Sequence, residues 1–189
     1  MNNREINPKE KRLFFLALLP PLNVQKIAQE MKEEFANIYQ SKHGLKSPPH
    51  LTLQPPFKWQ IGQVQLLKET LANFVKNQNS IPIILNNFGS FKPRVIYINV
   101  VKTPELLNIQ QELSLYLKSN LGIRDDRSKN PEYHPHLTLA HRDLTQDNYT
   151  KAWAKYENKT IHLEFTVSEL TLLFHQEKKW EISEQFRLG

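Results

Sequence analysis

The word His-Leu-Thr-Leu occurs twice in this chain, at His50–Leu53 and again at His136–Leu139. In an extended strand residues two apart share a face, so each word presents an imidazole and a hydroxyl on one side and two leucines on the other. Leucines turned into a core would pin each strand and leave His50, Thr52, His136 and Thr138 projecting into the space between. That set suits phosphoester cleavage. Attack at phosphorus needs a base for the nucleophile's proton and an acid for the leaving oxygen, and histidine fills either role near neutral pH. Threonine hydroxyls can donate to the non-bridging oxygens, where charge grows in the transition state. A cyclic phosphate sets attacking water and leaving ribose oxygen on opposite sides of phosphorus, which matches two opposed histidines.

The elements that must carry these words repeat as well. Arg12–Leu19 is an apolar run of strand length, and after Pro20-Pro21 the residues Val24, Ile27, Met31, Phe35 and Ile38 recur at helical spacing. The breakers Gly44 and Pro48-Pro49 lead into a short strand, His50–Gln54. Val64, Leu67, Leu71 and Phe74 mark a second helix, and Ile81–Phe88 a strand with Pro82 at its start or on an edge. The second pass begins with the strand Arg94–Val101. A helix opens at Thr103-Pro104-Glu105 and carries Leu106, Ile109, Leu113 and Leu117. The strand His136–Ala140 follows, then a helix with Tyr149, Trp153 and Tyr156. Leu163–Phe174 and Trp180–Leu188 read as two strands joined through the charged turn Gln176–Lys179. Arg12 precedes His50 by 38 residues and Arg94 precedes His136 by 42. The expectation is an α+β fold, one domain of two pseudo-symmetric lobes. A duplicated β-α-β-α-β unit, roughly residues 12–88 and 94–188, would build antiparallel sheets lining a central cleft.

Composition narrows the alternatives. The absence of cysteine among 189 residues removes disulfides, thiolate metal sites and cysteine nucleophiles, and points to a cytoplasmic protein. Leu13–Leu19, preceded by Lys9, Lys11 and Arg12, imitates a signal peptide. It is too short to span a bilayer and has no small-residue cleavage site after it, so it reads as a buried strand, with no membrane partner. A net charge of +6 and a pI near 9.4 fit RNA without requiring it. The small basic clusters Lys9–Arg12, Arg124–Lys129 and Lys178–Lys179 read as solvated faces. His134, His136 and His141 invite a metal reading, but Glu132 and Asp143 lack ligand spacing, so no metal and no cofactor is expected. His43, His162 and His175 read as surface or packing residues, Arg94 as a surface arginine and Tyr97 as core. A monomer is the default.

On these residues the chain resembles the 2H phosphoesterase superfamily, within it the bacterial 2′-5′ RNA ligase-like group of RNA 2′,3′-cyclic phosphodiesterases. The similarity runs through RLFFLALLPP, PPHLTLQPPF, GSFKPRVIYINV, YHPHLTLAHRDL, LEFTVSELTLLF and WEISEQFRL. The resemblance implies a bilobal fold and metal-free hydrolysis of a cyclic phosphodiester, on an RNA end or a nucleotide, to one monoester. It makes His50 and His136 the acid–base pair and Thr52 and Thr138 the phosphate clamp, with His50 the acid, His136 the base and a 2′-phosphate the product. The symmetric motifs alone do not assign those roles. Reversible 2′-5′ ligation uses the same pair run backwards, and a pure RNA- or phosphate-binding module is the rival from another class. Phe57 and Tyr133 stand where the family often has an aromatic, and either stacks on a base, worth roughly 1–3 kcal/mol, or packs at the cleft rim. Where many members follow the second motif with arginine, this chain has His141, and Arg142 comes one residue late. On a strand that shift turns Arg142 to the opposite face, leaving His141 as the substrate-facing residue. Loops His43–Pro49 and Gly122–Pro131 are expected to flank the cleft and set the substrate.

Overall fold

The computed structural model describes residues 7–125 and 132–189. Most of the Arg124–Lys129 cluster and of the second half of loop Gly122–Pro131 lies outside the described residues. The chain runs β1 (Lys11–Leu18), α1 (Leu22–Ile38), β2 (Leu51–Gln60), α2 (Val64–Val75), β3 (Ile81–Phe91), β4 (Val95–Val100), α3 (Pro104–Leu121), β5 (His136–Ala140), α4 (Gln146–Tyr156), β6 (His162–Val167), β7 (Glu169–Gln176) and β8 (Lys179–Arg187). Local chemistry sets several boundaries. The Thr103 hydroxyl accepts from Leu106 N at the start of α3, Pro104 occupies its first turn, and Gly122 ends it in the left-handed conformation at φ 67°.

All strands pair antiparallel in one eight-stranded sheet of order β6-β3-β4-β5-β2-β1-β7-β8. The centre of that order is the seam between β2 and β5, paired at Leu51↔Leu137. On either side the arrangement mirrors: β1 flanks β2 as β4 flanks β5. The outer strands exchange, because β3 pairs with β4 and β6, whereas β7 and β8 complete the sheet around β1. The helices cross in the same way, α1 packing on β5 and α3 on β2. No helix among the described residues is long and apolar enough to cross a membrane.

Two strand readings are corrected. Leu163–Phe174 is not one strand: it breaks at Ser168 into β6, at one edge beside β3, and β7, beside β1 at the far side of the sheet. A continuous apolar alternation does not reveal a change of partner. His50–Gln54 extends through Pro55-Pro56 to Gln60 as β2, because the β1–β2 register shifts between Phe14↔Phe57 and Leu16↔Gln54. The prolines sit at that irregularity, where a missing N–H breaks no ladder bond.

The continuous apolar run of β1 follows from burial on both faces. Phe14, Leu16 and Leu18 join the main core, while Phe15, Ala17 and Leu19 join a second cluster with Leu173 and Trp180 on the other side. Leu51, Leu53, Leu137 and Leu139 each expose 1% or less and pack in the main core with Phe35, Leu67, Leu113 and Tyr149. Burying each leucine contributes about 1.5–3 kcal/mol, so a one-residue slip of either word would cost both of its leucines at once. Register is thereby fixed, and with it the face on which the histidines and threonines lie.

Candidate active site

The antiparallel register about Leu51↔Leu137 sets His50 nearest Thr138 and Thr52 nearest His136, all on the face opposite the leucines. His50, Thr52 and Thr138 line a cleft of about 500 Å³, together with His141. His136 stands beside that cleft rather than in its lining. Its ring is 5.2 Å from Phe91 and 5.0 Å from Tyr97, which pairs with Thr138 across β4 and β5. The His50 ring packs likewise on Phe15 of β1 at 4.8 Å, and Phe15 meets Trp180 edge-on at 4.7 Å.

Both motif histidines are oriented by the same local bond. Nδ1 of His50 lies 2.7 Å from the Pro48 carbonyl and Nδ1 of His136 lies 2.7 Å from the His134 carbonyl. A carbonyl only accepts, so Nδ1 carries the proton in each ring and the lone pair of the neutral form is on Nε2. Each Nε2 is therefore the atom able to take a proton, or to give one once the ring is charged.

The cleft is strongly desolvating and positive. His50 is half-buried, yet the surrounding protein lowers its pKa to about 3, burial first and the Lys32 charge next; the Pro48 carbonyl opposes this, and His136 and His141 add to it. Burial, then His43 and Arg142, take His141 down to about 4 against the pull of Asp143. His43 is lowered by burial, Lys46 and Arg142. With these values His50 and His141 are neutral at pH 7.

Sequence reasoning missed several of the cleft's residues. Lys32 of α1 exposes only 1%, lines the cleft and donates from Nζ to the Ser47 carbonyl at 3.1 Å; burial lowers its pKa to about 8. Its signal was a lysine on the buried stripe Val24, Ala28, Lys32, Phe35 of an amphipathic helix. His43 and His175, read as surface or packing residues, both line the cleft, as does Lys178 at the tip of the β7–β8 hairpin. His43 lies in a 3₁₀ turn, His43–Lys46, whose Gly44 meets β5 so closely that a Cβ there would fall 2.4 Å from the Leu139 carbonyl oxygen. Asp143 clamps this turn. Its carboxylate accepts from Ser41 Oγ, Lys42 N and His43 N, each at 2.8 Å.

Arg142 corrects the expectation of alternation. It lines the cleft together with His141, because β5 ends at Ala140 and Arg142 takes a left-handed backbone at φ 61°. The rule that neighbours face opposite ways applies only within the strand. Of the proposed aromatics, Tyr133 donates its hydroxyl to the Thr52 carbonyl at 3.0 Å, tying the lead-in of β5 to β2. Phe57 lies outside the histidine cleft, in a neighbouring hollow with Trp59 and Arg124, its ring 6.4 Å from Phe14. Tyr97 is buried as expected, and its hydroxyl lies 3.2 Å from Nε2 of His134. Arg94 is exposed in the β3–β4 turn, and His162 pairs with Glu164 at the surface. No group of three or more His, Asp or Glu among the described residues is placed to hold a metal ion.

The sequence profile of the 2′-5′ RNA ligase superfamily matches residues 20–179. A Geobacillus sp. (strain WCH70) protein named as a phosphoesterase is 29% identical over 180 residues, covering 92% of this chain and 95% of its own length. Among solved structures, a Thermus thermophilus protein superposes with a TM-score of 0.65 at 17% identity, over 93% of this chain and 97% of that one. E. coli LigT, solved with 3′-AMP, gives 0.65 at 16% identity, over 95% and 99%. At these identities the likeness of the structures shows the fold.

Proposed function

The chain belongs to the 2′-5′ RNA ligase superfamily, and from that premise we propose that it hydrolyses 2′,3′-cyclic phosphates, on RNA ends or nucleotides, to 2′-phosphomonoesters without a metal. The observation that carries the reading is the seam at Leu51↔Leu137, which sets two histidine–threonine pairs on one face, each histidine held through Nδ1 by a carbonyl two residues before it. The 3′-AMP bound to LigT adds support for a nucleotide-sized ligand in this fold.

The cyclic phosphate sits between the pairs, with Thr52 and Thr138 donating to its non-bridging oxygens. Nε2 of His136 takes a proton from water as the water oxygen bonds to phosphorus. The bond from phosphorus to the 3′ oxygen breaks, and protonated His50 gives its Nε2 proton to that oxygen. One proton is taken and one given, so the pair ends with its charges exchanged and bulk water restores it. Two imidazoles supply all the proton transfer this step needs.

The test is incubation with 2′,3′-cyclic AMP and with an oligonucleotide ending in a cyclic phosphate, both in excess chelator, followed by identification of the product isomer. A 2′-phosphate is expected from each. Failure to turn over any cyclic phosphate would sink the reading, and loss of activity in chelator would remove its metal-free part.

A further inference from the structure

The cleft carries more positive charge than one cyclic phosphate balances. Lys32, Lys46, Arg142 and Lys178 all line it, and among the described residues no aspartate or glutamate does. A cyclic phosphodiester has a single negative charge. Asp143, beside this wall, offsets one of those four charges and still leaves a surplus; its carboxylate accepts from Ser41 Oγ and from the backbone N–H groups of Lys42 and His43. Those bonds hold the turn His43–Lys46 against the end of β5, where His43 meets the His141 ring edge-on at 4.7 Å. Lys46 and Arg142 are therefore built into a fixed wall rather than carried on a free loop.

Lys32, Lys46 and Arg142 line the cleft with His43 and His141, beside His50, Thr52 and Thr138. Lys32 is buried, and among the described residues its ammonium has one hydrogen-bond acceptor, the Ser47 carbonyl. A buried ammonium with no carboxylate bonded to it is stabilised by an anionic ligand.

We infer that Lys32, Lys46 and Arg142 form a second phosphate subsite beside the His–Thr face, so that the substrate carries a phosphate on the same nucleotide besides the one attacked. The identity of the first phosphate rests on the phosphodiesterase reading. The second has two sources with the same chemistry: a monoester on a free nucleotide, or the next diester of an RNA chain.

Calorimetry on the wild-type protein and on the double variant Lys46→Met/Arg142→Met compares three non-cyclic probes: adenosine 2′-phosphate, adenosine 2′,5′-bisphosphate and a dinucleotide ending in a 2′-phosphate. The bisphosphate is expected to bind the wild type about tenfold or more tightly than the monophosphate, as charge-assisted contacts do, and the double variant brings that ratio towards one. An equal gain for the dinucleotide assigns the phosphate to RNA; a gain confined to the bisphosphate assigns it to a free nucleotide. Equal wild-type affinities for all three probes, no measurable binding of the bisphosphate at millimolar concentration, or an unchanged ratio in the variant overturns the subsite. None of the probes is turned over, so the ratio is readable whatever happens to 2′,3′-cyclic AMP. An intact ratio without hydrolysis removes the phosphodiesterase reading alone.

Discussion

Replacing Lys32 by methionine should make the protein more stable and its cleft less able to hold phosphate. Burial lowers the Lys32 pKa from 10.5 to about 8, and at ~1.4 kcal/mol per tenfold this is about 3 kcal/mol against the charged form. Between those two pH values the unfolded chain holds more protons than the folded one, so stability rises with pH across that window. Below pH 8 the whole cost is present. The bond to the Ser47 carbonyl returns about 1 kcal/mol, and methionine fills a similar volume. Lys32→Met is therefore expected to be more stable than wild type by about 2 kcal/mol at pH 7, an advantage that shrinks as pH approaches 10. Urea unfolding of both proteins at pH 7 and pH 9.5 reads the difference, in which all other titrations cancel. Added phosphate should raise the midpoint of the wild type more than that of the variant, because ligand binding to the folded state stabilises it in proportion to affinity. A variant less stable than wild type at pH 7, or a gap independent of pH, would refute the account of Lys32 as an uncompensated buried cation.

Asp143→Ala leaves Ser41 Oγ and two backbone N–H groups without their acceptor and should cost about 2 kcal/mol in urea unfolding, with a larger fractional loss in phosphate affinity than in turnover. His50→Ala and His136→Ala should each lose at least ~100-fold in kcat while retaining the wild-type circular dichroism spectrum; a single variant within a few-fold of wild type would contradict the two-histidine scheme.

Much of the site was legible because both words impose the same alternation. Leucines at two-residue spacing demanded a core face, and the opposite face followed for His50, Thr52, His136 and Thr138. The cationic wall was not legible, for three separate reasons. Lys32 reaches the cleft from a helix distant in sequence, and only its place on the apolar stripe hinted that it was buried. Strand alternation puts Arg142 on the wrong face, because β5 ends at Ala140 and Asp143 N turns back to donate to the His141 carbonyl at 2.7 Å, with Arg142 at positive φ between them. His175 and Lys178 arrive on the β7–β8 hairpin, which lies beside β1 only because the outer strands exchange. Contiguous repeats in sequence do not show such an exchange, since each strand satisfies its own alternation next to either partner.

The same electrostatics decide when His50 can act as an acid. With a pKa of about 3 it is neutral at pH 7, and a neutral imidazole donates nothing from Nε2. The fall from 6.5 is worth about 5 kcal/mol. One negative charge about 4 Å away returns about 4 kcal/mol at an effective dielectric of ~20, so a bound phosphate restores most of the loss. Protonation of His50 and anion binding are thus one linked event, and binding must draw a proton from solution. Sulfate is a suitable probe because it does not itself titrate near pH 6 and, as a dianion, returns more than a single charge does, which carries His50 above that pH. Calorimetry in two buffers of different ionisation enthalpy should show roughly one proton taken up per sulfate at that pH, cut by more than half in His50→Gln. His141, whose pKa is about 4, accounts for the remainder. If sulfate binds without proton uptake, or His50→Gln leaves the uptake intact, His50 stays neutral on the bound anion. It then serves as the base, and His136 must supply the proton to the leaving oxygen.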